Sequence, residues 1–128
     1  VGLMGASAGG HLTATLATHY NSETRPDFQI LLYPVVTMMQ VTRGNTRAAL
    51  LGKNPTMEQI QKFSAELQVT PDTPQAFIAL TSDDPSVAPY HGVNYYLALQ
   101  KNKVTARFWQ GWCFIIKHMK GGTSNDND

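Results

Sequence analysis

Apolar residues fall along this chain in short blocks separated by polar, proline-punctuated stretches. Val1-Gly2-Leu3-Met4 reads as the end of a buried strand. His11 to about Tyr20 reads as a helix with Leu12 and Leu16 one turn apart on its buried face. The polar stretch from Asn21 to Asp27 is a loop. Phe28-Gln29-Ile30-Leu31-Leu32-Tyr33, closed by Pro34, has the pattern of a strand buried on both faces. Val35 to Arg47 shows no clear period and is expected to leave the sheet as an excursion. Asn54-Pro55-Thr56 opens a helix running to about Phe63, with Pro55 in its first turn and Thr56 with Gln59 as a capping box. After the rigid linker Val69–Pro74, Ala76-Phe77-Ile78-Ala79-Leu80-Thr81 is a strongly apolar strand ending in the turn Ser82-Asp83-Asp84-Pro85. Tyr90 to Lys101 is amphipathic, with Val93, Tyr96, Leu97 and Leu99 expected to turn inward, and Val104-Thr105-Ala106-Arg107-Phe108 is a last strand.

Strands alternating with helices predict an α/β fold: a mainly parallel sheet flanked by helices and covered on both faces. Ligands then belong at the carboxyl ends of the strands. Trp109 to Lys120 crowds large apolar residues without a stable period, and Gly121–Asp128 has the composition of a disordered tail. A length of 128 residues with 42% hydrophobic content suits one domain with a real core. The net charge of +1 and the absence of a basic cluster argue against nucleic acid as a partner. No apolar run reaches the length of about eighteen residues that a membrane-spanning helix needs, so no membrane partner is expected either. The single cysteine, Cys113, excludes an internal disulfide, and the compartment stays open.

The candidate chemistry lies in Gly5-Ala6-Ser7-Ala8-Gly9, a G-x-S-x-G pentapeptide followed by Gly10 and His11. A strand before it and a helix after it are the setting of a nucleophile elbow. There the serine stands exposed at a sharp turn, and small neighbours let the two backbones approach. Ser7 is the candidate nucleophile, and the amide of Ala8 the candidate oxyanion donor. The plain alternative is a Gly/Ser-rich strand–helix turn without chemistry. A second alternative is an anion cradle at a helix start, although the loop lacks both the Gly-Lys-Ser/Thr ending and the G-x-G-x-x-G spacing of nucleotide sites.

Serine acyl transfer also needs a base and a carboxylate that orients it. On an elbow of this type the chain order is Ser, then Asp or Glu, then His. Asp84 is favoured over Asp83 as the acid because it precedes Pro85-Ser86-Val87 in a turn leading to the next helix, the alternative being that both aspartates only cap that helix. Four histidines are present. His11 suits an anchoring or solvent-facing role, His19 ends its helix, and His91 lies in the helix after the acid turn. His118 alone follows the last strand and is the candidate base on position, though its neighbours are not a glycine-rich loop. The scattered histidines and lone cysteine make no metal pattern, so neither metal nor cofactor is expected.

Taken together, Gly5-Ala6-Ser7-Ala8-Gly9-Gly10-His11-Leu12, Leu32-Tyr33-Pro34-Val35, Leu50-Leu51-Gly52, Phe63-Ser64, Val69-Thr70-Pro71, Thr73-Pro74, Ser82-Asp83-Asp84 and Tyr95-Tyr96-Leu97-Ala98-Leu99 resemble bacterial α/β-hydrolase esterases of the acetyl-esterase and xylan-esterase-like group. The resemblance covers about residues 1–107 and implies Ser7 as nucleophile, Asp84 as triad acid, and removal of acetyl or other short acyl groups from sugar hydroxyls. In that family the last strand leads into a Tyr-Pro segment and a Gly-Gly-His-Gly loop. Trp109 to Asp128 matches neither, so the family's histidine is carried over to no position here. The elbow also starts at residue 1, where such a sheet has earlier strands. The expectation is therefore the carboxyl-terminal part of a hydrolase domain over residues 1–107, with a cap-like excursion at 36–75 and an atypical tail at 108–128. A small ester or acetylated sugar is the expected partner, with activity on esters expected to be weak or absent because of the missing parts. The competing expectation is a non-catalytic α/β module that binds a small anion or sugar, or one that self-associates through an uncovered sheet edge and face.

Overall fold

The structure, a computed structural model, describes residues 1–39 and 46–111. Four strands carry it: β1 (Gly2–Ala6), β2 (Phe28–Leu32), β3 (Gln75–Thr81) and β4 (Ala106–Gly111). They form one parallel sheet in the order β1-β2-β3-β4, with Ala6 opposite Leu32 and Leu32 opposite Ala79. Helices α1 (Ala8–Thr18) and α4 (Tyr90–Lys101) connect strands, while α2 (Thr46–Leu51), α3 (Met57–Lys62) and a 3-10 turn at Ala65–Leu67 lie in the long connection between β2 and β3. The sequence boundaries hold for α4, whose span is the expected one. The capping box forms as expected too: Thr56 Oγ1 accepts from the Gln59 amide, and the Gln59 side chain accepts from the Thr56 amide. Thr56 is itself the cap, so Pro55 stands before the helix rather than in its first turn.

Every connection steps to the adjacent strand in the same direction along the sheet. Crossovers of one hand then deposit their helices on one face. The core follows from this. Ala14 of α1, Ala65, and Tyr95 and Leu99 of α4 pack against Leu31, Ala76, Ile78 and Leu80. Burial of side chains the size of Tyr95 and Leu99 is worth about 1.5–3 kcal/mol each. The opposite face carries Met4, Phe28, Phe77 and Trp109, which are 69%, 42%, 41% and 47% exposed. The expectation of a sheet covered on both faces is thus corrected: among the described residues the helices cover one. Val1 and Met4 are exposed, so β1 is not the buried strand its composition suggested.

Two helix faces also differ from expectation. In α1 the buried residues are Gly10, His11, Thr13, Ala14 and Ala17, whereas Leu12 and Leu16 are exposed. The cause is close approach. A side chain at Gly10 would meet Pro34 Cβ at 2.6 Å and Cα at 2.8 Å, and one at Gly5 would overlap the Gly9 carbonyl. Glycine and alanine therefore fill the closest approach of α1 to the sheet and to Pro34. In α4 the buried stripe is His91, Gly92, Tyr95 and Leu99, while Leu97 is exposed and Val93 and Tyr96 are half-buried. Gly92 leads because a side chain there would run into Leu80 of β3.

A second, smaller cluster of Val35, Met38, Ile60 and Val87, joined by Leu51 and Phe63, ties the long β2–β3 connection to the turn after β3. A buried polar strut supports the main core: Tyr95 Oη donates to Gln29 Oε1 at 2.8 Å, and Gln29 Nε2 donates to the Pro74 carbonyl at 3.0 Å. Burial pushes the Tyr95 phenol well above its ordinary value, so it stays a donor at any physiological pH.

The two elbow glycines should respond in opposite ways. Gly9 has open space where a side chain would go, so Gly9→Ala should be neutral or stabilising by up to about 1 kcal/mol through helix propensity. Gly5→Ala should destabilise by about 1–3 kcal/mol through overpacking. Urea unfolding of both variants beside the parent measures the contrast, and equal effects would refute it.

Candidate active site

At the carboxyl end of β1 the chain turns through Ser7 with φ 54° and ψ −120°, a conformation that L side chains rarely adopt. The turn is held by the backbone of the serine itself. Its N–H donates to Leu32 O at 3.0 Å, and its carbonyl accepts from Gly10 N at 3.0 Å, His11 N at 3.3 Å and Val35 N at 3.0 Å. The side chain is left half-buried at the sheet edge. Ala8 is the first residue of α1, so its N–H falls outside the helix's own hydrogen-bond ladder and is free to face an anion. Strained serine, helix start and close glycine packing are the geometry of a nucleophile elbow.

Asp84 follows β3, two strands away from β1, which sets its turn about 10 Å from the elbow at ordinary strand spacing. Its Oδ1 accepts from Ser86 N at 2.8 Å and Val87 N at 3.1 Å, so the carboxylate fastens its own turn. Helix α4 is capped instead by Pro89, with no side-chain bond. Asp84 is half-buried and Asp83 exposed.

The histidines separate by partner. His11 Nε2 donates to Phe63 O at 2.7 Å, tying α1 to the end of α3, which is the anchoring role. Burial holds its imidazole below the ordinary value of 6.5, outweighing the Phe63 hydrogen bond, which favours the proton. His19 ends α1, exposed, with Nδ1 donating to Thr15 O at 3.1 Å. His91 is buried, and its Nδ1 accepts two backbone amides. Among the described residues no hydrogen bond engages the Ser7 hydroxyl. His118 lies outside the described residues. The residue that sequence reasoning passed over is His91. Its signal was present in the stripe His91, Tyr95, Leu99, spaced by one turn on the buried face of α4.

Beside Ala8 a groove of about 560 Å³ runs along α1, lined by His11, Leu12, Thr15, Leu50 and Phe63. Among the described residues no group of three His, Cys, Asp or Glu side chains could hold a metal ion, and no helix is long and apolar enough to cross a membrane.

A parallel sheet with a strained serine at a strand–helix turn and an aspartate turn two strands on defines a hydrolase-type scaffold. The chain belongs to the α/β-hydrolase fold family, whose model matches residues 1–113. It is 40% identical over 116 aligned positions to endo-1,4-beta-xylanase B of Butyrivibrio fibrisolvens, covering 80% of this chain and 18% of that protein. It is 37% identical over 105 positions to the acetylxylan esterase of Xylanibacter ruminicola, covering 78% of this chain and 22% of that one. Among solved structures, the acetyl ester-xyloside bifunctional hydrolase from Caldicellulosiruptor lactoaceticus superimposes with a TM-score of 0.82 at 30% identity, covering 91% of this chain and 49% of that chain. The chain thus spans about a fifth of the curated relatives it matches.

Two outcomes follow from this geometry. Glycine relieves the positive φ at residue 7, so Ser7→Gly should raise stability by about 1 kcal/mol, read as a higher urea midpoint. A lower midpoint would contradict the strain. For His11 the folded imidazole resists the proton that the unfolded chain takes up near its ordinary value of 6.5. Its contribution is therefore intact above that pH and is lost as pH falls below it. Unfolding midpoints measured from pH 7.5 down to 5.5 should decline less steeply in His11→Gln than in the parent.

Proposed function

We propose that this chain carries the nucleophile and acid of a serine carboxylic-ester hydrolase that removes acetyl or other short acyl groups from carbohydrate. The observation that carries the reading is the strained Ser7 at the β1–α1 elbow, because such strain persists where the surrounding structure enforces it for function. In this reading Ser7 Oγ attacks the ester carbonyl and its proton passes to a histidine, for which His118 is the candidate by chain order. The oxyanion of the tetrahedral intermediate meets the Ala8 amide. Collapse expels the sugar alcohol, which takes the proton, and leaves Ser7 acylated. Water, deprotonated by the same base, then releases the carboxylate and restores the serine. Asp84 orients and stabilises the charged base. The acetylxylan esterase relative and the acetyl ester-xyloside hydrolase neighbour support acetylated sugar as the substrate class. In this reading the described part of the connection between β2 and β3 belongs to the cap-like excursion, and the hydrolase unit includes β4 as far as Gly111.

The apolar side chains on the open sheet face favour a second reading, a module that pairs with another chain, itself included, through that face. Size-exclusion chromatography of the chain separates the two, since a monomer at all concentrations speaks against pairing with itself.

The direct test is hydrolysis of p-nitrophenyl acetate by the chain beside Ser7→Ala. The proposal expects weak turnover by this chain, with whatever stands above background lost in Ser7→Ala because triad members act as a unit. Equal rates above background in both would overturn the assignment of Ser7 for this chain.

A further inference from the structure

We propose that His91 is a positioning residue that locks the Ser7 elbow in register with the Asp84 turn, an inference that rests on the esterase reading above. The segment after β2 leaves the sheet at Tyr33, which has a φ of 34°, and among the described residues it has no strand beside it. Its amides must therefore find partners one at a time, and each does. Tyr33 N donates to Ala79 O at 2.7 Å and Val35 N to Ser7 O at 3.0 Å. Val36 N and Thr37 N donate to His91 Nδ1 at 2.9 and 3.1 Å. Met38 N donates to Ser64 Oγ at 2.7 Å.

One bond in this series reaches the nucleophile's own carbonyl, and the next two reach His91. His91 is 1% exposed, sits in the first turn of α4 and stacks on Tyr90 with ring centroids 4.6 Å apart. That turn of α4 directly follows the acid loop, where Asp84 holds Ser86 and Val87, and Val87 packs against Val35 and Met38. The path from Ser7 through Val35, Val36 and His91 to the Asp84 turn is thus continuous in hydrogen bonds and short covalent steps. Accepting two N–H groups requires an unprotonated Nδ1, so His91 is the tautomer with its hydrogen on Nε2. This makes it a fixed acceptor for the two amides. A merely space-filling residue would not need a nitrogen at that position. Asparagine can place its Oδ1 where Nδ1 stands, while leucine and phenylalanine cannot accept at all.

The experiment compares the parent chain with His91→Asn, His91→Leu and His91→Phe, the last keeping the ring in case the leucine variant fails to fold. Two readouts are taken: the rate at which a fluorophosphonate labels Ser7, where Oγ bonds to phosphorus as fluoride leaves, and amide hydrogen exchange at Val35. The proposal expects labelling to fall at least about tenfold in the Leu or Phe variant, as misplacement of a reacting group predicts. Exchange at Val35 should rise while Ile78, in the middle of β3, keeps its protection, and Asn should restore most of both. Labelling in the parent with equal loss in Asn, Leu and Phe, or with no loss in any, would overturn the role of His91 and leave the esterase reading standing. Absence of labelling in the parent would sink the esterase reading instead. Exchange at Val35 then decides the lock by itself: selective loss of protection in Leu or Phe with recovery in Asn upholds it, and no such selectivity overturns it.

Discussion

The backbone of Ser7 is the constraint on which the carboxyl edge of this sheet depends. Its amide closes the last rung between β1 and β2, and its carbonyl gathers three donors from two different segments. A non-glycine residue at φ 54° costs on the order of 1–3 kcal/mol. Four hydrogen bonds, each worth about 0.5–1.5 kcal/mol net, are enough to hold it there. The same arrangement sets the tight packing of α1. With the Ser7 carbonyl bonded both to the start of the helix and to Val35, the helix is drawn close to Pro34, and only glycine fits at position 10. Strain, hydrogen bonding and close packing at the elbow are one feature.

From this point outward the structure solves a problem of unpartnered backbone. Among the described residues the connection between β2 and β3 has no sheet neighbour, so buried side chains act as struts. His91 and Ser64 accept the amides of residues 36–38, His11 donates to the carbonyl of Phe63, and Gln29 with Tyr95 braces the entry to β3. These residues look like misplaced polar groups in an apolar pattern. Each is buried because it replaces a hydrogen bond that water would otherwise have supplied.

The site was legible in proportion to how local it is. The G-x-S-x-G pentapeptide between a strand and a helix specified the turn, and the strain and helix start at Ser7 and Ala8 followed from it. The family resemblance read from the motifs agrees with the family model over residues 1–113. The Thr56–Gln59 box and both ends of α4 were also readable, since capping and helix length depend on neighbours within one turn. His91 was harder to see. Its partners stand 54 and 55 residues away in the chain, and no local rule pairs a helix histidine with two distant amides.

By itself, then, the sequence determined the strands, α1, α3 and α4, their alternation and the parallel α/β architecture, because hydrophobic period and turn chemistry act over a few residues, whereas α2 was not foreseen and β4 runs to Gly111 rather than ending at Phe108. It did not determine which side of each element is inside. Leu12, Leu16 and Leu97 carry the apolar signal of their helices and are exposed, whereas Gly10, Ala14 and His91 are buried. That choice belongs to the tertiary structure. Four strands laid down in one direction put α1 and α4 on one face of the sheet, and the close approach at the elbow leaves no room for a side chain at Gly10. Hydrophobicity proposes a face, but the space left between backbones decides it.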